Sequence, residues 1–433
     1  MRHDFLQAGP GSSAASFKHM PGVSMRNEQD SVDPTVTPSA VTSNRRRRSK
    51  IELGKCLGPV LLLTLIFFVN FVARQIAGPL LPAMEADLAL SHTQSGLFIL
   101  VMGIGFFVSQ ISAAFLAAKW GYRRCILISL WGTAVVTAVI GRVDSIWALY
   151  LGFLGLGITG GLYVPTGIAL ITVLVRSQDW GKAIGIHELA PNLALILVPF
   201  MATASVMFGS WRLGYTGLAI GLAILGVVYA GLGVDSHDRP APPDVDRIRV
   251  ILTNPSFWYM ALLLSLAVGV ETGVYAMVPL FLVNERTFDL ADANQLLGLS
   301  RIPGLVMVLL SGWITDRLSP TTTISMALGL TGAAVVVMGA GPKAWLIPAV
   351  YLQAATTACL FPPILSMASQ ISTTANRALM LSLNLAVAPV IGGGLLPAGI
   401  ALAGDLGSFG YGLVAAGILT TAGIGLVALV KKG

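Results

Sequence analysis

Five ionisable side chains lie inside long apolar runs: Arg74, His187, Glu188, Glu271 and Arg301. A charge at mid-bilayer costs ~2.5–3.5 kcal/mol even on insertion scales, so such groups generally face a cavity and carry function. The two guanidinium groups suit a carboxylate, sulfonate or phosphate, which they grip bidentately. The carboxyl groups and the imidazole suit the uptake and release of protons. No nucleophile constellation or metal-ligand spacing accompanies them, so the set points to binding and proton exchange and away from an enzyme.

Spacing orders these residues further. Arg74 precedes Pro82 by eight positions, and Glu271 precedes Pro279 by eight. The two therefore hold equivalent places with opposite signs, and an ion pair between them is expected. Arg301, in LGLSRIPGL, lies about eight residues, or ~12 Å, from the outer end of its segment. It can bind a ligand together with Arg74, or neutralise Glu271. His187 and Glu188, in GIHELAPN, lie near the cytoplasmic surface and, on a continuous helix, point about 100° apart. Glu188 reads as a proton acceptor or as the partner of Lys119 or Arg123; His187 reads as a proton relay or as a hydrogen-bonded packing residue. Asn70, Gln75, Tyr163, Asn192, Tyr275, Gln353 and Asn384 either line a pocket or form interhelical hydrogen bonds worth ~0.6 kcal/mol each.

The elements that must position these groups follow from composition. In 433 residues, 55% are hydrophobic and 11% charged, with mean hydropathy +0.78; this is a polytopic membrane protein with no room for a large soluble domain. Spans long enough for a ~30 Å hydrocarbon core fall at 57–83, 95–117, 124–141, 147–174, 183–207 and 212–232, then at 257–283, 293–314, 322–341, 344–369, 377–402 and 409–430. The second six repeat the first: Pro165 and Pro363, Pro191 and Pro389, and Pro199 and Pro397 are each 198 residues apart. The fold class expected is an all-α membrane protein with two pseudo-symmetric six-helix halves at 55–232 and 257–433. A Pro-rich charged linker at 233–256 joins them. Residues 1–54 read as a disordered tail whose basic run, Arg45 to Lys50, anchors beside anionic headgroups.

Charge placement gives the orientation. Of 27 Lys and Arg, nine precede the first span, twelve fall in loops on the side of both termini and four on the other, so both termini are expected in the cytoplasm; the location expected is the cell (inner) membrane. The formal charge of +7 thus needs no nucleic-acid partner. Cys56, Cys125 and Cys359 lie far apart and read as packing residues. Gly155, Gly157 and Gly160 spell a dinucleotide-like pattern but precede no βαβ unit, so helix packing is the reading.

Two short polar turns name the resemblance. Ala114 to Arg124, AFLAAKWGYRR, and Gly312 to Thr321, GWITDRLSPT, place Ala118 and Asp316 198 residues apart. They are similar to the paired signature loops of the major facilitator superfamily, carried by Lys119, Gly121, Arg123 and Arg124 in the first copy and by Asp316 and Arg317 in the second. The resemblance implies a gating role for these residues, with Ala118 standing where the family has an acid. Around Arg74 the chain also resembles the N-Y-x-D-R element of the anion:cation symporter branch, with Asn70 and Arg74 kept and Ala73 in place of Asp. That implies an anion site at Arg74 and moves proton coupling to Glu271.

The function expected is secondary active transport of a small organic anion by alternating access, coupled to protons. Arg74, Arg301, Asn70, Tyr163, Tyr275 and Asn384 are the candidate cargo contacts, and Glu271, Glu188 and His187 the candidate proton sites. Two alternatives stand beside it: a proton-driven efflux antiporter for amphipathic or cationic compounds, and a carrier-derived membrane sensor. Antiporters of the superfamily resemble one another in a G-P-x-x-G-G pattern in the fifth span; Ala190 to Leu195 depart from it, which disfavours efflux, although the eleventh span reads A-P-V-I-G-G from Ala388 to Gly393. No cofactor or metal is expected. The partners are the anionic solute, protons and lipid, and the chain is expected to act as a monomer.

Overall fold

Four breaks in the helices of this bundle fall where a proline removes a hydrogen bond. The computed structural model describes residues 52–234, 239, 244–371 and 377–430. Twelve helical spans run through it: α1 Leu53–Leu88, α2 His92–Trp120, α3 Tyr122–Ile140, α4 Ile146–Leu174, α5 Ser177–Met207, α6 Trp211–Leu232, α7 Pro255–Arg286, α8 Leu290–Leu318, α9 Pro320–Ala340, α10 Lys343–Ile371, α11 Leu379–Asp405 and α12 Phe409–Val430. The shortest has 19 residues, about enough at ~1.5 Å per residue for a ~30 Å core. Large apolar side chains such as Trp147, Leu151, Leu309 and Val135 face outward, as a lipid solvent requires. The tail expected at 1–54 lies outside the described residues except for its last three, and α1 already begins at Leu53. The Pro-rich part of the linker also lies outside them, while Val245–Leu252 forms a short helix capped by Asp244.

A proline cannot donate to the carbonyl four residues back. Regular helix accordingly stops at Gln75, four before Pro79; at Gly161, four before Pro165; and at His187, four before Pro191. In α10 it stops at Thr357, just ahead of the carbonyls that Pro362 and Pro363 leave unserved. Two spans instead widen to a π turn, α7 over Gly269–Gly273 and α11 over Ile391–Leu395. These turns cross each other. A Cβ on Gly392 would sit 1.9 Å from the Ser265 carbonyl oxygen, and one on Gly273 2.8 Å from the Gly392 oxygen. Small residues give the same close approach between α2 and α4, where a Cβ on Gly157 would meet the Met102 oxygen at 2.0 Å.

The internal repeat is visible in matching contacts. Asp87 at the end of α1 accepts from Trp211 and Arg212 at the start of α6. Glu285 at the end of α7 accepts from the Phe409 and Gly410 amides and the Ser408 hydroxyl at the start of α12. Asp87 and Glu285, and Trp211 and Phe409, are each 198 positions apart. The turns after α2 and α8 match too: Gly121 has φ 84° and ψ 161°, and Ser319, 198 residues on, has φ 80° and ψ 151°. That region is essentially reserved for glycine, so Ser319 stores roughly 1–3 kcal/mol of strain. Replacing Ser319 by Gly is expected to raise the thermal unfolding midpoint in detergent, and Gly121→Ser to lower it.

Candidate functional site

In the first half the site is built around Arg74, which ends the last regular turn of α1 before the break at Ile76. Its guanidinium carbon lies 5.0 Å from the centre of the Phe71 ring and 4.9 Å from that of Phe106 on α2. Two aromatic faces thus stabilise the cation while leaving it without a counter-ion. Among the described residues Arg74 makes no ion pair or hydrogen bond, and its Nε is buried without a partner. The expected pair with Glu271 is therefore absent: the repeat gives the two residues matching positions in sequence, but the cation is held by rings instead. Asn70, one turn earlier, is buried with its Oδ1 unpaired. Gly160 of α4 makes room for both: a Cβ there would lie 3.2 Å from Arg74 Cδ and 3.5 Å from Asn70 Oδ1.

In the second half, Glu271 sits in the middle of the π turn of α7, a distortion that recurs at functional sites. The charges acting on it are Arg301 of α8, of opposite sign, and Glu188 of α5, of like sign. Arg301 is buried with its guanidinium carbon 4.8 Å from the Tyr275 ring centre and its Nε unpaired. The Tyr275 hydroxyl donates to the Leu195 carbonyl at 3.1 Å, tying α7 to α5. Gln353 of α10 donates to the Val270 carbonyl at 2.6 Å and so fixes the residue beside Glu271. Glu271, Arg301, Asn192, Leu195 and Gly304 line a small, partly open cleft with room for water rather than a large molecule. Asn384 on α11 is buried with both amide atoms unpaired.

The break in α5 alters the geometry expected of its two polar residues. On an unbroken helix His187 and Glu188 diverge; here the helix stops at His187, and its Nδ1 lies 3.4 Å from Glu188 Oε1. On its other side His187 Nε2 is 3.1 Å from the Tyr163 hydroxyl, which donates to the Leu63 carbonyl at 2.5 Å. Phe67 stacks on the imidazole at 4.5 Å. His187 is fully buried and hydrogen-bonded, and Tyr163 is part of that cluster and not part of the Arg74 pocket. Glu188 pairs with His187 and with neither Lys119 nor Arg123. Arg123 instead donates to the Ala230 carbonyl at 2.5 Å, and the Lys119 carbonyl accepts from Arg239 at 3.0 Å. In the second turn Arg317 lies over Trp313 at 5.1 Å, and Arg124 and Asp316 are exposed.

With this arrangement on the page, comparison with known proteins decides the family: the model for the Major Facilitator Superfamily matches residues 63–352. The chain belongs to the Major Facilitator Superfamily. It is similar to the probable sulfoacetate transporter SauU of Cupriavidus necator, 24% identical across 80% of this chain and 85% of that one. It is also similar to the membrane sensor protein UhpC of Salmonella typhimurium, 24% identical across 65% of this chain and 68% of that one. A solved bacterial homologue of the lysosomal transporter Spinster superposes with a TM-score of 0.71 at 16% identity, covering 88% of this chain and 98% of that one. The expected fold of twelve membrane helices in two halves holds, and the protein is an integral membrane member of a transporter family.

Sequence reasoning missed Phe71, Phe106 and Gly160. A signal existed for Phe71, which lies three residues before Arg74 on the same helix face, and Gly160 reads in the sequence only as a helix-packing glycine; nothing local marked Phe106. Enlarging Gly160 to Val is expected to destabilise the protein by roughly 1–3 kcal/mol through overpacking. Truncating Arg74 to Ala removes what the new side chain strikes, so the double variant should lose less than the sum of the two singles. Unfolding measurements on all four members of the cycle check this.

Proposed function

We propose that this protein is a secondary active transporter that carries a small organic anion across the cell membrane by alternating access, with protons as the coupling ion. The observation that carries the proposal is Arg74: a guanidinium in the interior of the bundle, held between Phe71 and Phe106, with no counter-ion among the described residues. A group placed so, at the cost of its desolvation, is completed by an anion that arrives and leaves. The rings stabilise the cation without using its N–H donors, so a carboxylate, sulfonate or phosphate can pair with them bidentately. A relative named as a sulfoacetate transporter supports the same class of cargo.

Glu271 is the proposed proton site. It stands in the other half, beside a small cavity it shares with Arg301, and feels both that cation and Glu188. A proton taken up by Glu271 removes one negative charge from that set and leaves Arg301 free to meet the cargo; release of the proton restores the balance. Arg301 and Asn384, both buried with unpaired polar atoms, complete the proposed contacts from the second half. The proposal also places both termini and the turns at Gly121 and Ser319 on the cytoplasmic side, with the chain acting as a monomer.

Flux into proteoliposomes tests both assignments. With a panel of carboxylates, sulfonates, phosphates and cationic dyes, uptake is expected for anions and not for the dyes. Arg74→Ala should abolish that uptake while the protein remains folded; uptake at the parental rate would remove the anion argument. Glu271→Gln should make uptake insensitive to an imposed pH step while preserving exchange of labelled for unlabelled cargo. A Glu271→Gln variant that still concentrates cargo against its gradient when a pH step is applied would overturn the proton assignment.

A further inference from the structure

One of the contacts between the two halves, at the end of the bundle away from the chain termini, is not duplicated by the repeat. Asp405, the last residue of α11, accepts from the backbone amides of His92 at 3.0 Å and Thr93 at 2.8 Å, the first two residues of α2. The third amide of that helix, on Gln94, is taken by the Ser91 hydroxyl at 3.2 Å in a reciprocal capping box. A carboxylate from one half thus completes the N-terminal cap of a helix in the other. Such a bond gains from its charge and from the helix dipole together.

The receiving helix end is braced from behind. Glu85 of α1, buried, accepts from the Ser95 hydroxyl and lies 2.8 Å from His92 Nδ1, while the His92 ring packs on Phe409 at 4.6 Å. Asp405 itself is exposed at the rim. Its counterpart 198 residues earlier is Met207, and that of His92 is Leu290. The braces made by Asp87 and Glu285 are different in kind: each lies within one half, and each has its repeat partner. These scaffold contacts are duplicated, and the carboxylate bridge of Asp405 is not.

We propose that Asp405 and the N-terminus of α2 form a latch that holds this end of the bundle closed and must release each time the protein opens toward that side. Close backbone approaches beneath it depend on the same closure: a Cβ on Gly96 would meet Ala401 Cβ at 2.5 Å, and one on Gly78 the Ala276 Cα at 2.6 Å. When the halves part, two helix amides and a carboxylate pass from one another to water. Because α2 keeps its Ser91 cap, the helix itself persists as the latch opens. Asp405 therefore contributes to the difference in free energy between the closed and open forms, beside the bonds of Asn294 to Thr203 and Pro79, irrespective of which solute is carried.

The experiment reads conformation, not flux. Trp147 and Tyr411 start α4 and α12 at this same end, one in each half, and both are highly exposed; the three native cysteines are buried. Spin labels on Trp147→Cys and Tyr411→Cys, in protein reconstituted into lipid nanodiscs, report the separation of the halves. Asp405→Ala and the near-isosteric Asp405→Asn are each expected to add a longer-distance population, raising the open-to-closed ratio roughly tenfold, whereas Asp405→Glu should retain the parental distribution. Distributions for Asp405→Ala and Asp405→Asn that superimpose on the parent would overturn the latch. The asparagine variant keeps the test decisive if the alanine variant fails to fold, and neither outcome depends on whether the cargo is an anion.

Discussion

In hydrocarbon a backbone amide or carbonyl has no water to turn to, so a span must satisfy its own hydrogen bonds or be broken only where protein or a watery space serves the loose ends. This constraint organises the protein. Proline withdraws one donor at chosen places, and the regular helix stops where the missing bond falls: at Gln75 in α1, at His187 in α5, at Gly161 in α4. Several of the ionisable and polar groups of the interior lie at such interruptions, while Arg301 stands in an unbroken helix. Arg74 ends a broken helix, Glu188 follows one, Tyr163 lies just past another, and Glu271 occupies the widened turn of α7. A break frees space and polar backbone together, and both help a charge to be tolerated.

The duplicated chain supplies a symmetric frame, and the chemistry departs from it. Asp87 and Glu285 do the same work 198 residues apart, and the turns at Gly121 and Ser319 adopt the same backbone despite the strain imposed on a serine. The central charges are arranged unequally. Arg74 in the first half stands alone between two aromatic rings; Arg301 in the second faces an acid and a small cavity. A symmetric scaffold with unequal charges has one half that holds a cation ready and another whose cation is offset by Glu271. The carboxylate bridge from Asp405 to α2 has no repeat counterpart, whereas at the matching α5–α8 contact Asn294 donates to Thr203.

The interior therefore holds two electrostatic environments, each with its own means of tolerating a buried cation. Aromatic faces stabilise a guanidinium without neutralising it, and Arg74 is held in this way by Phe71 and Phe106. A carboxylate nearby offsets the charge of Arg301 through space while leaving the side chain its own aromatic contact with Tyr275. Small residues make both arrangements fit: Gly160 yields the volume that Arg74 and Asn70 occupy, and the glycines of the two π turns let α7 and α11 cross at backbone distance.

Much of this was legible in the residues themselves. Hydrophobic length gave the twelve spans, the 198-residue interval gave two halves, and the rarity of charge in apolar segments singled out Arg74, Glu271, Arg301, His187 and Glu188, because burial cost makes each such residue an exception that needs a reason. Sequence spacing could not say which of them meet. It paired Arg74 with Glu271 by their equal distance from a proline, whereas the fold set Arg74 between Phe71 and Phe106 and left Glu271 to Arg301. It held His187 and Glu188 apart by the helical angle, whereas the break before Pro191 brought them together. Periodicity records the position of a residue along its own helix, while partners are chosen by how helices cross, and those crossings depend on glycines, π turns and a lone Asp405 whose effects appear only once distant segments are packed against one another.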